Sequence, residues 1–153
     1  MIQRFLCDEM LVRLGKWLRV AGYDTLIATP GTADRELLDC AIRENRTLIT
    51  RDRSYMQRRG AEGVVFLING NGMESWLNTL THELDINWCL NPFSRCLLCN
   101  RELEPGPGQF AHLMPAYVMD ENIPCYHCPD CAKPFWEGGH VQRMRRKLEQ
   151  WNR

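Results

Sequence analysis

The chain has 153 residues, 44% of them hydrophobic, which suits one medium domain or a small core domain carrying an appendage. Nineteen Lys/Arg balance nineteen Asp/Glu, so net charge singles out neither nucleic acid nor an acidic partner. No stretch approaches the ~20 apolar residues of a membrane span, and MIQRFLCDEM has no apolar run of signal-peptide length; a cytoplasmic location is expected, where paired cysteines read as metal ligands.

Arg4-Phe5-Leu6-Cys7 reads as a buried strand. Met10, Leu11, Leu14, Trp17, Leu18 and Ala21 then fall on one helix face, and Gly22 supplies the stop. Thr25-Leu26-Ile27-Ala28 is a second strand, ended by Pro30-Gly31. A second helix points Leu37, Leu38, Ala41 and Ile42 inward and Arg35, Glu36, Asp39 and Arg43 outward. Thr47-Leu48-Ile49-Thr50 is a third strand, with a short helix expected over Ser54–Arg58. Val64 to Ile68 is a fourth strand, closed by Asn69-Gly70, and Met73, Trp76, Leu77, Leu80 and Leu84 form a further helix face. This alternation predicts an α/β fold, an open parallel sheet with helices on both faces, over residues 1–84. Residues 85–95 read as a connection, and 96–153 as a cysteine module followed by a basic C-terminal helix.

Ligands of open parallel sheets bind beyond the carboxyl ends of the strands. Asp8 directly follows the first strand, Asp34 opens the helix after the second, and Asp52 follows the third. Clustered carboxylates repel unless a cation joins them, which favours Mg²⁺ or Mn²⁺. Such a cation suits phosphodiester hydrolysis, with water as the nucleophile. The competing reading makes Asp8 and Asp34 helix caps and puts Asp52 in a turn before Ser54, itself a plausible N-cap. Glu9 is a weaker candidate, and Glu44 reads as a solvated helix residue.

Cys96-x-x-Cys99 and Cys128-x-x-Cys131, with 28 residues between the pairs, have the spacing of a Cys₄ zinc ribbon. A closed shell of four thiolates leaves no open position for substrate, so this zinc would be structural. Asn100 and Ala132 follow the pairs, where a left-handed backbone is often needed. Cys125 and Cys128 form a second C-x-x-C, though Pro129 favours Cys128 with Cys131; His112, His127 and His140 are weaker ligand candidates. Cys7, Cys40 and Cys89 read as isolated hydrophobes.

The runs FLCDEMLVRLGKWLRVAGYDT, ADRELLDCAIRENRTLITRD, RCLLCN and CPDCAKPFWEGGHVQRM resemble the Mut7-C ribonuclease family over nearly the whole chain. The resemblance implies a PIN-like nuclease domain joined to a C-terminal zinc ribbon. It implies metal-dependent RNA cleavage, with Asp8, Asp34 and Asp52 at the acidic positions and Cys96, Cys99, Cys128 and Cys131 on zinc. Where many PIN domains carry a fourth acidic residue, this chain reads Ile68-Asn69-Gly70-Asn71, so Asn69 or Asn71 would offer only an amide oxygen. PIN-like domains often pair, which leaves a homodimer open.

The last fourteen residues carry five Lys/Arg against one Glu. Trp136 and His140, followed by Arg143, Arg145, Arg146 and Lys147, suit RNA, since rings stack on unpaired bases and cations meet phosphates. Lys16 and Arg19 are expected near the acidic edge, where they would hold phosphate. The competing reading packs Phe135 and Trp136 between the units and leaves the cations solvated. Two other functions fit parts of the pattern. A receiver-like domain would use Asp8-Glu9 with Asp52 but needs a fifth strand ending in Lys. A non-catalytic RNA-binding adaptor would use the aspartates as caps. A phospho-aspartyl sugar phosphatase lacks its second Asp in Asp8-Glu9-Met10.

Overall fold

A computed structural model describes all 153 residues. Four strands, β1 (Phe5–Cys7), β2 (Thr25–Ile27), β3 (Thr47–Thr50) and β4 (Val65–Leu67), form a parallel sheet in the order β2-β1-β3-β4. Phe5 pairs with both Thr25 and Thr47, so β1 lies between β2 and β3. The α/β expectation holds, and the sheet ends at β4, without the fifth parallel strand that a receiver domain needs.

Strand side chains alternate between faces. Phe5, Cys7 and Ile49 enter a larger core with Leu11, Leu14 and Leu18 around helix α1 (Val12–Ala21) and Leu77 and Leu80 of helix α3 (Met73–Glu83). Leu6 and Leu48 enter a smaller core with Leu37, Leu38 and Ala41 of helix α2 (Asp34–Arg43) and with Tyr55. Tyr55 belongs to a 3₁₀ helix at Arg53–Gln57, close to the expected short helix. Burial raises the Cys7 thiol to about 12, which suits a core side chain. Cys40 and Cys89 are half-buried.

α1 stops at Gly22, whose φ of +105° is left-handed, and a Cβ there would lie 2.6 Å from the Asn91 carbonyl oxygen. That close approach brings the 85–95 connection onto the α/β unit. Asn91 and Phe93 donate backbone bonds to Ala21 and Val20, and Ile86 and Trp88 are buried in the larger core.

The cysteine module is a three-stranded antiparallel sheet of β5 (Glu104–Pro105), β6 (Cys125–Cys128) and β7 (Lys133–Trp136), in that order. Between β5 and β6 lie a 3₁₀ helix at Gly108–Leu113 and the short helix α4 (Ala116–Asp120), which bury Phe110, Met114 and Val118. Helix α5 (Gly139–Trp151) closes the chain. Its Leu148 is buried in the larger core, and Trp151 meets Trp17 and Trp88 edge-on at 4.6 and 5.6 Å. No helix is long and apolar enough to cross a membrane.

Candidate active site and metal centre

The chain runs from β1 outward to β2, then crosses back to β3 on the other side of β1. The sheet therefore reverses its winding between β1 and β3, where a crevice opens at the carboxyl ends. Asp8 and Asp52 leave the two strands that flank this point. Asp8 is buried, and its Oδ1 accepts from the Met10 backbone N–H at 2.9 Å while its Oδ2 accepts from the Thr50 hydroxyl. The same hydroxyl oxygen accepts from the Asp52 N–H at 3.0 Å, so Thr50 ties both strand exits together.

Asp52 is exposed, and its Oδ1 accepts from the Ser54 N–H at 2.9 Å. That backbone bond, with the Ser54 hydroxyl, holds its carboxyl below the usual range. Asp34 is the first residue of α2 and makes no cap; it accepts from the Tyr55 hydroxyl at 3.0 Å and pairs with Arg58 at 3.2 Å. Burial first, and then the bond to Asp34, raise the Tyr55 pKa and keep that phenol protonated.

Asp8, Asp34 and Asp52 line one cavity of about 90 Å³, together with Glu9, Thr32 and Tyr55. Glu9 turns toward this cavity and accepts from the Gly31 N–H at 3.0 Å, which fastens the exit of β2 to that of β1. Glu44 instead pairs with Arg46, away from this edge, at 2.7 Å. The carboxylates share the cavity at wider spacing than the thiols, which alone form a set of ligand atoms all within 4.8 Å of one another.

Those thiols are Cys96, Cys99, Cys128 and Cys131. Cys96 and Cys131 sulfurs lie 3.8 Å apart, and those of Cys99 and Cys128 lie 3.6 Å apart. A tetrahedral Zn²⁺ with bonds of about 2.3 Å sets its sulfurs about 3.8 Å apart. The donor set therefore fits zinc. Cys125 lies outside the set, in β6 opposite Trp136. Asn100 and Ala132, after the two pairs, take φ of 76° and 52°. Burial opposes ionisation of Cys99, but the Arg101 backbone N–H and the neighbouring thiols lower its pKa on balance. The neighbouring Cys99 thiol first, and then burial, push Cys131 up to about 12. His127 is occupied elsewhere, its Nδ1 with the Gly106 carbonyl at 2.8 Å and its Nε2 with Glu104 at 3.2 Å.

The first thiol pair docks onto the α/β unit. Asn100 Oδ1 accepts from the Thr25 N–H at 2.9 Å, and its Nδ2 donates to Asp24 at 2.7 Å. Arg19 is buried here, donating to the carbonyls of Thr25 and Leu97 at 2.8 Å each. Its position corrects the expectation that it holds phosphate: the guanidinium clamps the first thiol pair to the edge strand β2. Together Asn100 and Arg19 occupy the outward N–H and C=O of Thr25, which blunts that edge.

The remaining cations divide by position. Lys16, His140, Arg143, Arg146 and Lys147 are exposed, whereas Trp136 is half-buried in β7. Arg145 pairs with Glu137 at 2.8 Å and lies over the Phe93 ring, while the Lys147 amine sits 5.8 Å from the Trp17 ring centroid. Neither Thr50 nor Tyr55 carries a site motif in the sequence, and Glu9 carries a weak one. The available signal for Thr50 was strand alternation, which places it two residues before Asp52 on the same side.

The Mut7-C RNAse domain model matches residues 3–148, from the first strand through the buried Leu148 of the last helix. No curated protein and no solved structure matches the chain. Because one continuous match spans both the carboxylate cavity and the thiol cluster, the chain belongs to the Mut7-C RNase domain family, a ribonuclease family whose substrate is RNA.

Proposed function

We propose that this protein is a divalent-cation-dependent ribonuclease that hydrolyses RNA phosphodiester bonds at the carboxyl edge of its parallel sheet. The observation that carries the reading is one cavity, beside the winding reversal, lined by carboxylates from three different strand exits. Asp8, Asp34 and Asp52 would hold Mg²⁺ or Mn²⁺. Their donors are all oxygens, as hard cations require, and Mg²⁺ needs only one or two carboxylates because it keeps several waters. Bound there, the cation would supply activation of water and neutralisation of charge on the phosphodiester.

The side chains divide the remaining work. Asp8 is fixed by two donors, so it presents its carboxylate in one orientation. Asp34 is steadied by Tyr55 and Arg58. Asp52 is exposed and held ionised, which suits it to hold the cation and to orient a water beside it. The four thiolates would keep the ribbon folded around Zn²⁺. Trp136, His140, Arg143, Arg146 and Lys147, with Lys16 on α1, would contact the RNA.

A second reading has its own support: Asp8 and Asp52 both cap the 3₁₀ helices that follow them, as a non-catalytic RNA-binding adaptor would require. Incubation of the purified chain with RNA separates the two. The nuclease reading expects cleavage with Mg²⁺ or Mn²⁺, none when the cation is omitted, and a loss of about 10²-fold or more in Asp52→Asn. RNA left intact with either cation, and bound equally well by Asp52→Asn, would favour the adaptor.

A further inference from the structure

Arg51 and Asp52 are consecutive where the chain leaves β3, and neighbouring side chains of extended backbone point to opposite sides. Asp52 lines the carboxylate cavity, whereas Arg51 turns toward the loop after β4. There its Nη2 donates to Asn71 Oδ1 at 3.0 Å and approaches the Gly70 carbonyl at 3.5 Å. The guanidinium carbon stands 5.4 Å from the Trp76 ring centroid, and Trp76 is itself fixed by its Nε1–H to Gly70 at 3.2 Å. Three elements thus aim one exposed cation along the edge that carries the acidic cavity.

Its partners set it apart from two other arginines of the α/β unit. Arg58 is paired with Asp34, and Arg35 with Asp39. Arg51 bonds only to neutral oxygens, so its charge is oriented but uncompensated. The carboxylates on the other side of Asp52 repel an RNA backbone, and a fixed cation beside them offsets that repulsion. A guanidinium presents a planar fork that matches phosphate, and its prior orientation reduces the entropy lost on binding.

We propose that Arg51 binds the phosphate next to the scissile one on a single-stranded RNA lying across the sheet edge, with Asn71 and Trp76 as its positioning residues. This rests on the carboxylate cavity being the cleavage site.

The test is cleavage of a single-stranded RNA oligonucleotide by the full chain over a range of salt. RNA binding is measured in parallel by fluorescence anisotropy in the Asp52→Asn background. Arg51→Ala is expected to raise KM about tenfold or more, with kcat changed less. It should also flatten the dependence of log affinity on log salt by about 0.7, the loss of one single-strand phosphate contact. Arg51→Lys should recover the salt slope without the full affinity, because it keeps the charge and loses the fork. Asn71→Ala, which frees the guanidinium without removing it, should fall between the wild type and Arg51→Ala in KM. An unchanged KM and salt slope in Arg51→Ala, while Asp52→Asn is inactive, overturns the assignment of Arg51 and leaves the cavity standing. Wild-type cleavage by Asp52→Asn would remove the cavity from the reaction, and the assignment with it.

Discussion

The parallel sheet and the ribbon meet at Asn100, and different forces hold the two sides. On the sheet side, clusters of fifteen and seven buried residues flank the strands, so loss of one side chain leaves many others in contact. On the ribbon side, Phe110, Met114 and Val118 are the buried apolar residues between β5 and β6, and the strands there are two to four residues long. So small a core does little to offset the entropy of ordering its loops, and a metal held by the four thiolates would supply the difference. The carboxylate cavity accordingly stands on a scaffold with a core of its own, whereas the neighbouring ribbon rests on its thiol cluster.

Removing zinc should give the largest effect. Structural zinc contributes about 10–16 kcal/mol in small zinc modules, far more than the ribbon's apolar burial. Cys96→Ser, or dialysis against a chelator, should open residues 101–135 to protease while the amides of β1 and β3 keep their protection from hydrogen exchange. Uniform loss of protection would show that the sheet depends on the ribbon, and no change would show that the ribbon has a sufficient core of its own. Leu148→Ala comes next. The sequence assigns α5 to the cysteine module, yet Leu148 is fully buried with the sheet's larger core. Truncation should cost about 2–5 kcal/mol in denaturant unfolding of the sheet. A cost near zero would return the helix to the ribbon.

The strands and α1 to α3 were legible because buried runs and 3.6-residue faces alternate cleanly from Phe5 to Leu84. The three aspartates were legible for a related reason, since a parallel sheet gathers its strand exits at one edge. Ile86 and Trp88 were not, because two isolated apolar residues in a connection carry no period. Arg19 was misplaced because its position on α1 suggests an open cation, whereas the first thiol pair covers it from a site 78 residues away. The elements inside the cysteine module were hidden by Gly106, Pro107 and Gly108 and by runs too short to show a face. The sequence marks Asn100 for its backbone alone, because its side-chain bonds reach Thr25 and Asp24, about 75 residues away along the chain.

Those bonds make the next comparison. Asn100→Ala removes an acceptor from the Thr25 N–H and a donor from Asp24, and alanine tolerates the positive φ less well than asparagine. A loss of about 1–3 kcal/mol is expected in denaturant unfolding. Asn100→Gly relieves the backbone and should recover only part of it. Asp24 reads the same contact through pH. Burial opposes its charge, but Arg46, Asn100 and Arg4 bond the carboxylate and hold its pKa well below the ordinary range. A depressed folded pKa contributes stability that is complete above the unfolded value of about 3.9 and declines as pH falls through the folded one. Acid unfolding should therefore steepen below about pH 4, and Asp24→Asn should flatten that limb while lowering stability at neutral pH. Parallel acid curves for the two proteins would mean that Asp24 contributes nothing at the contact.

Asp52→Asn should have the smallest effect on stability and is for that reason the most informative. Asp52 caps the Arg53–Gln57 helix through its Oδ1, and asparagine caps a helix about as well as aspartate. The exposed side chain makes no ion pair of its own, so a change within about 0.5 kcal/mol is expected in denaturant unfolding. If Asp52 serves the sheet only as a cap, RNA cleavage should survive with the fold. If it serves the cavity, cleavage should fail while the unfolding midpoint stays in place, because the substitution removes charge and leaves the cap. The sheet's tolerance of single substitutions is what allows that separation. At Cys96 the same experiment would confound folding with chemistry, since a residue that would hold metal would also hold the ribbon together.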